Sequence, residues 1–253
     1  MQLTPVMFII VCPLLFLAGL VDSIGGGGGL ISLPAYLFAG LPVHMAVATN
    51  KLSSACGTSL ATARFIRKGL VNLRLAVPSV AAAVLGSSLG ARLSLLVSEE
   101  PMKVILLAVL PVAAFFVLNR RLFRDDGRHT AVVDRRTLIV CVVSAFIIGM
   151  YDGFYGPGTG TFLIISFTVF ARMTVGSANA QDKVINLTSN ITSLVVFLLN
   201  GQVLIPLGLA AAVCNMAGNW VGSGLAISKG TKIVRPVILL VLVLLLCKIL
   251  FNF

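Results

Sequence analysis

A run of five glycines at residues 25–29 follows directly on an apolar segment near the start of the chain. Glycine loses more backbone entropy in a helix than any other residue, so we expect the run to end the helix that precedes it. A related stretch at residues 153–160 follows another apolar segment, with Pro157 and Thr159 among its glycines. Any fold of this chain must therefore place two stretches of irregular backbone between apolar segments.

Each interruption is part of a longer pattern that occurs twice. Asp22 precedes the first interruption and Asp152 the second. Lys51 and Lys183 follow the interruptions, each near the start of a long apolar segment. The number of residues between the two lysines is nearly the same as the number between the two aspartates. When the first half of the chain is aligned with the second, Pro78 pairs with Pro206 and Gly90 with Gly218, at a slightly shorter sequence separation than the lysines and aspartates have. The pattern predicts an internal duplication with small insertions.

The low charge content predicts a membrane protein. Only 11% of the 253 residues are charged and 58% are hydrophobic, with a mean hydropathy of +1.06. A soluble domain carries about 25% charged residues, and several apolar runs here reach the roughly 20 residues that a membrane-spanning helix needs. The short alternating strands of an outer-membrane barrel do not appear in the sequence. We therefore predict an all-α polytopic membrane protein.

Ten apolar segments divide into two halves of five. They cover about residues 6–23, 30–39, 43–66, 75–97 and 102–118, then 137–151, 161–171, 175–199, 204–227 and 234–250. The predicted organisation is an N-terminal transmembrane repeat at residues 1–119, a basic cytoplasmic loop at 120–136 and a C-terminal transmembrane repeat at 137–253. Segments 30–39 and 161–171 are too short to cross as ordinary helices. Two alternatives remain for these segments: they cross the membrane as parts of glycine-broken helices, or they fold back as re-entrant hairpins.

The positive charges indicate how the chain crosses the membrane. The net charge of +11 comes largely from Lys and Arg in the loops at residues 64–74, 119–136 and 228–235, and such loops lie on the cytoplasmic side. This distribution argues against a nucleic-acid partner and predicts both termini on the outer side. An odd number of segments in each half gives the halves opposite orientations, as in the inverted repeats of secondary transporters.

The two interruptions are predicted to bind an anion. Irregular backbone at membrane depth is tolerated only inside protein or beside a watery cavity, and N–H groups at helix N-termini attract negative charge. The residues assigned to this cradle are Gly26, Gly27, Gly28 and Gly29 from the first interruption, and Gly156, Gly158, Thr159 and Gly160 from the second. Close helix packing or a hinge is the alternative interpretation of these glycines.

Polar stripes beside the two lysines extend the predicted site. A lysine in hydrocarbon is costly unless it is paired or faces water, so Lys51 and Lys183 are predicted to face the site. The alternative interpretation is that each lysine lies near the membrane surface and extends its ammonium to the lipid interface. The other residues predicted to contact substrate are Asn50 and Ser54 beside the first lysine, and Gln181, Asn186 and Asn190 beside the second.

The buried carboxylates have several candidate roles. Asp22 and Asp152 are interpreted as structural partners of the lysines or caps of the glycine turns, and a role as proton carriers stays open. Asp182 is expected to face away from Lys183, because adjacent helical residues diverge. The five cysteines have no paired spacing and the two histidines are isolated, so we predict no metal site, no cofactor and no catalytic residue.

These motifs resemble the sulfite exporter TauE/SafE family of sulfonate and sulfite permease-like membrane transporters. The resemblance covers nearly the whole chain, and the motifs that carry it are Gly19-Leu-Val-Asp22 with the glycine run, Ala48-Thr-Asn-Lys51-Leu52, Gly149-x-x-Asp152 with Gly156-Pro157 and Gly160, and Lys183 with Asn186. It implies an inner-membrane transporter of small sulfur-containing or related organic anions, without fixing the substrate. Pro157 and Thr159 replace glycines in the second copy, which puts an equal role for the two halves in doubt.

We predict a secondary transporter, not an enzyme, that exports a small sulfur-containing oxyanion or organosulfonate such as sulfite by alternating access. A passive anion channel is the alternative, and an intramembrane enzyme that uses Asp22 and Asp152 is a third hypothesis. The expected partners are a small anionic substrate and the lipid bilayer. Coupling to protons or sodium and association as a homodimer stay open.

Overall fold

The structure is a computed structural model that describes residues 3–98, 134–230, 232–234, 236–240 and 243. The predicted fifth segment, most of the basic loop at 120–136 and much of the tenth segment lie outside these residues. Within the described ranges the regular secondary structure is entirely helical, which confirms the predicted all-α class.

Eight helices make up the main body of the described chain. In order they are α1 Pro5–Gly25, α2 Gly29–Phe38, α3 Val43–Arg67, α4 Leu73–Leu96, α5 Arg135–Phe154, α6 Thr159–Val169, α7 Val175–Leu199 and α8 Ile205–Lys229. The residues described after α8 are also mostly helical. Each predicted segment that can be compared agrees with its helix to within a few residues at either end.

Four of these helices, α1, α4, α5 and α7, are long and apolar enough to cross a membrane. They bury one face and expose large apolar side chains on the other. Ile9 of α1 is 72% exposed and Leu199 at the end of α7 is 83% exposed. Such faces suit lipid rather than water. The helices α2 and α6 have only 10 and 11 residues, and their length matches the short segments predicted from the sequence.

The helices of one half pack against those of the other in a reciprocal way. Helix α1 packs along α8, and α5 packs along α4. Similarly, α3 contacts α8, and α7 contacts both α3 and α4. The two halves of the described chain are therefore interleaved around a shared centre and do not form separate bodies.

Glycines set the closest of these crossings and also fix how the halves correspond. A Cβ on Gly86 would overlap the carbonyl oxygen of Phe146, and a Cβ on Gly218 would overlap that of Phe16. Equivalent contacts thus match Gly86 of α4 with Gly218 of α8, which is also the register that aligns the first residues of the two helices. The predicted pairing of Gly90 with Gly218 is wrong by one turn, because apolar helices rich in small residues match each other at several registers.

One connection carries backbone strain that its counterpart avoids. Arg172, between α6 and α7, has a φ of 54°, whereas Gly40, between α2 and α3, has a φ of 86°. The two positions correspond in the register that matches Gly86 with Gly218. The left-handed region costs an L-residue about 1–2 kcal/mol. A glycine at such a position avoids this strain, but it loses more backbone entropy on folding, which offsets part of the gain.

We expect Arg172→Gly to raise the free energy of unfolding by about 0.5–1 kcal/mol, since the exposed Arg172 gives up strain without losing a buried contact. The reciprocal change Gly40→Ala should lower it, although a Cβ there meets no atom within 4 Å. Thermal unfolding of both variants in detergent provides the measurement. Equal shifts of the same sign would contradict the assignment to backbone strain.

Candidate functional site

The two glycine interruptions meet in the structure. Helix α1 ends at Gly25, and Gly26 takes a left-handed conformation with a φ of 78°. The Oγ1 of Thr161 donates to the carbonyl of Gly25 at 2.7 Å, and its backbone N–H donates to the carbonyl of Gly26 at 3.2 Å. A Cβ on Gly29 would lie 3.2 Å from Cα of Pro157. The broken ends of α1 and α5 therefore share one interface.

Lys51 forms a buried ion pair that links α3 to α5. Its Nζ lies 2.7 Å from Oδ2 of Asp152, and Lys51 is 1% exposed. The hydroxyl of Ser189 on α7 donates to the same carboxylate oxygen at 2.6 Å. Both the charge and the hydrogen-bonding capacity of this oxygen are satisfied, so the pair can persist at a depth where an isolated charge would be very costly.

Lys183 makes the corresponding connection from α7 to α1. It is fully buried, and its Nζ donates to the backbone carbonyl of Asp22 at 2.7 Å. The carboxylate oxygen Oδ2 of Asp22 lies 3.6 Å from the same nitrogen. The lysine of each half is thus held by the aspartate of the other half. The burial of both lysines argues against the alternative that they reach out to the lipid interface.

Asp182 is placed differently from the sequence prediction. Its Oδ2 lies 2.8 Å from Nζ of Lys183, and both side chains are fully buried. The prediction that Asp182 faces away from Lys183 is wrong. Adjacent Cα–Cβ bonds diverge on a helix, but the four-carbon stem of a lysine is long enough to bring its ammonium back. Neither carboxylate oxygen of Asp182 has an aligned hydrogen-bond donor among the described residues.

A small cavity of about 20 Å³ lies between the two interruptions and Lys51. A cavity of that size holds about one water molecule. Its lining is almost wholly polar side chains and glycine backbone, and the residues are Asp22, Gly26, Gly29, Asn50, Lys51, Ser54, Asp152, Gly156, Thr159, Gly160, Asn186 and Asn190. Every one of them was predicted from the sequence as a site residue, and their role in binding stays a prediction.

The sequence of the whole chain matches the family model described as sulfite exporter TauE/SafE over residues 11–249. The chain belongs to the TauE/SafE family. It is 36% identical over 236 residues to the probable membrane transporter protein ORF9 of Sinorhizobium, an alignment that covers 93% of this chain and 89% of that protein.

Other relatives in the TauE/SafE family are of similar length. The probable membrane transporter protein YfcA of Escherichia coli K12 is 35% identical over 237 residues, which are 93% of this chain and 87% of YfcA. The probable membrane transporter protein YdhB of Bacillus subtilis is 22% identical over 229 residues, or 89% and 91% of the two chains. No solved structure gives a significant match. Membership of a transporter family and the apolar helices together indicate a multi-pass membrane protein.

Five predicted site residues of this TauE/SafE chain do not line the cavity. Gly27 and Gly28 supply carbonyls to the first turn of α2, and Gly158 is the left-handed residue that precedes α6. Gln181 is turned toward α4, where its Oε1 accepts from the backbone N–H of Asn72 at 3.3 Å. Lys183 contacts the cavity only indirectly, through Asp22, which lines it.

Two side chains that contact this centre were not predicted as parts of the site. Ser189 lies three residues beyond Asn186 and therefore on the same helix face, which was the available signal. Thr161 joins the two interruptions, and only its place just after the second glycine stretch pointed to it. The sequence prediction for Asp182 failed because it used only the direction of the Cβ and left out the reach of the neighbouring lysine side chain.

Proposed function

We propose that this protein is a secondary transporter that moves a small sulfur-containing oxyanion or organosulfonate, such as sulfite, by alternating access. The observation that carries the proposal is the polar cavity between two broken helices, closed on one side by the buried pair of Lys51 and Asp152. Discontinuous helices that meet around a central site are typical of secondary transporters. The names of the family and of its relatives point the same way.

The cavity offers neutral donors suited to the oxygens of an anion. The N–H groups of Gly29 and Gly160 lie in the first turns of α2 and α6, where a helix supplies no acceptor for them. Asn50 and Asn190 contribute amides and Ser54 a hydroxyl. Because both lysines are already paired with carboxylates, we infer that these dipoles recognise the anion and that Lys51 completes the site rather than acting as a free counter-charge.

The size of the cavity favours alternating access over a passive channel. A space for about one water molecule is too small for sulfite or a sulfonate, so the halves must separate to admit one. The ion pairs Lys51–Asp152 and Lys183–Asp22 both cross between the halves. Breaking or re-forming them in turn would let the reciprocal helix pairs rock against each other, as expected of two inverted repeats of about five segments each.

We place the protein in the inner membrane, with the loop after α3 on the cytoplasmic side and the termini outside. One contact supports the grouping of the basic ends. The guanidinium of Arg64 lies 4.2 Å from the centre of the Trp220 ring and donates to Oγ of Ser223 at 3.2 Å. This contact brings the C-terminal parts of α3 and α8 together, and Arg67 and Lys229 follow there. Such a cluster of positive charge marks the cytoplasmic side.

Binding can be tested by the thermal unfolding of purified protein with sulfite, sulfate, thiosulfate, taurine and sulfoacetate. An anion that binds only the folded form at about 100 times its Kd stabilises it by about 2.7 kcal/mol. We expect at least one sulfur oxyanion or sulfonate to raise the melting temperature of the wild type. A panel without any shift would contradict the proposed substrate class.

The same panel locates the site when two serines of α3 are compared. Ser54→Leu fills the cavity without changing a charge and should lower anion affinity by about tenfold or more, a cost of about 1.4 kcal/mol. Ser59→Leu places the same side chain on the exposed face of the same helix and should leave affinity unchanged. Equal affinities in the two variants would remove the cavity from the proposed site.

Flux distinguishes the transporter from the channel. In liposomes that hold the stabilising anion at equal concentration inside and outside, an imposed pH or sodium gradient should drive net accumulation if movement is coupled. A channel equilibrates the anion and cannot accumulate it against its own electrochemical gradient. Dissipation without accumulation under every imposed gradient would favour the channel.

A further inference from the structure

The buried centre holds more negative than positive groups. Two lysines, Lys51 and Lys183, lie among three carboxylates, Asp22, Asp152 and Asp182, and the most accessible of the five side chains, that of Asp22, is only 14% exposed. With every group ionised this cluster carries one uncompensated negative charge. An uncompensated charge in such surroundings costs several kcal/mol, and a carboxylate avoids the cost most simply by taking up a proton.

The surroundings of the three carboxylates differ in how well they stabilise the charged form. Asp152 has a lysine at 2.7 Å and a hydroxyl donor at 2.6 Å on one oxygen. Asp22 borders the cavity, and its Oδ1 accepts from the backbone N–H of Gly28 at 3.4 Å. Asp182 is fully buried, and its close cation among the described residues is Nζ of Lys183 at 2.8 Å, which also lies 3.6 Å from the Asp22 carboxylate and donates to a backbone carbonyl. Neither oxygen of Asp182 has an aligned hydrogen-bond donor in that part of the chain. The proton is therefore expected on Asp182.

The groups that face Asp182 from neighbouring helices add to this preference. The charges that act on it are Lys183 on its own helix, then Asp22 from α1 and Asp152 from α5. The described cations of α4, Arg74 and Arg92, are exposed and therefore outside the buried cluster. Asn179 stands one turn before Asp182 on α7, and its buried Oδ1 has no hydrogen-bond partner within the described part of the chain. A protonated Asp182 would provide the O–H donor that such an oxygen lacks.

We propose that Asp182 is a proton-binding site, neutral in the state that the structure shows and ionised in another state of the cycle. One proton converts its carboxylate to a carboxylic acid, and the five groups then balance to zero charge. The other half of the chain carries Asn50 at the equivalent place, in the register that aligns Lys51 with Lys183, so α3 has an amide where α7 has the titrating group. The coupling of proton movement to anion movement rests on the proposed function, whereas the existence of the proton site does not depend on it.

Infrared spectroscopy of the purified protein in lipid tests the proton site without any substrate. A buried carboxylic acid gives a C=O stretching band that is separate from the carboxylate bands and shifts in deuterated water. We expect this band in the wild type in mildly acidic to neutral buffer and its loss in Asp182→Asn, whereas Asp182→Glu should keep a carboxylic acid band at a shifted frequency. A wild type without the band across that range, or a band that persists in Asp182→Asn, would overturn the proposal.

Two further outcomes keep the test decisive. If Asp182→Asn does not fold, Asp182→Glu still tests the assignment: a band of unchanged frequency in that variant would assign the proton elsewhere, and a shifted band would support Asp182. In liposomes, a pH gradient should accelerate thiosulfate flux in the wild type and have no effect on it in Asp182→Asn. Equal acceleration in both would overturn the coupling. A wild type that does not carry thiosulfate would count against the proposed function and leave the infrared result standing.

Discussion

Lys51→Met is expected to lower the free energy of unfolding by about 3–5 kcal/mol and to abolish transport. The variant removes one member of a buried ion pair and leaves Asp152 without its cation, with the Ser189 hydroxyl as its remaining close partner. Removing one partner of a buried pair costs more than the pair itself contributes, because the remaining carboxylate must either stay charged and desolvated or take up a proton. Chemical denaturation in detergent, followed by circular dichroism, measures the loss.

The double variant Lys51→Met/Asp152→Leu separates stability from function. Replacing a buried ion pair by apolar groups of similar size is often neutral for stability, so most of the lost free energy should return. Transport should stay lost, because the charged link between the halves is gone. Lys68→Met is the matched control, since Lys68 is exposed after the end of α3, and it should change stability by less than about 0.5 kcal/mol. A double variant no more stable than Lys51→Met would show that the pair is not the cause.

Each lysine is paired with the aspartate of the other half, and this pairing changes the role that we expect for the lysines. From the sequence they looked like positive charges available to a substrate. In the structure Lys51 is bound to Asp152, and Lys183 is bound to the carbonyl of Asp22 and to Asp182. A site built from ion pairs and neutral dipoles would bind the proposed anion less tightly than free ammonium groups would. Weaker binding suits a transporter, which must also release its cargo on the other side.

The described helices were predictable because their signals are local. Glycine runs end helices, charged loops bound the apolar segments, and the length of each segment follows from bilayer thickness. Helix α7 begins and ends at the residues predicted from the sequence, and α3 extends only one residue further. The register between α4 and α8 failed because it depends on which small residue meets which backbone carbonyl across a crossing, and the spacing of Gly86 and Gly90 fits two registers equally well.

The residues that line the cavity were predictable where two copies of one motif marked them, and their role in binding stays a prediction. Residues of both interruptions, and the lysine stripes beside them, face one cavity in the structure. The direction of long side chains was not predictable, since it depends on partners from other helices. Gln181 turns to the backbone of Asn72 at the start of α4, and Lys183 folds back onto Asp182. Neither contact has a local signature, and both follow from which helices happen to be neighbours.

Gly26→Ala is expected to disrupt the centre of the protein, because it combines backbone strain with overlap against the facing interruption. Gly26 has a φ of 78°, and a Cβ there would overlap the backbone of Gly160 and Thr161. Left-handed strain costs about 1–2 kcal/mol and forced overpacking a further 1–3 kcal/mol, so we expect a loss of about 2–5 kcal/mol. Backbone cannot move aside as a flexible side chain can. The break in α1 would therefore have to separate from the break in α5.

Gly176→Ala provides the matched control for Gly26→Ala, because it adds the same methyl group to a helical glycine with no atom within 4 Å of the new Cβ. It should be neutral or stabilising by up to about 1 kcal/mol. We expect both the melting temperature and the liposome flux to be lower in Gly26→Ala than in Gly176→Ala. If Gly26→Ala retained wild-type stability and flux, the two interruptions could not be in backbone contact in the working protein. The cavity that depends on that contact would then lose its place as the transport site.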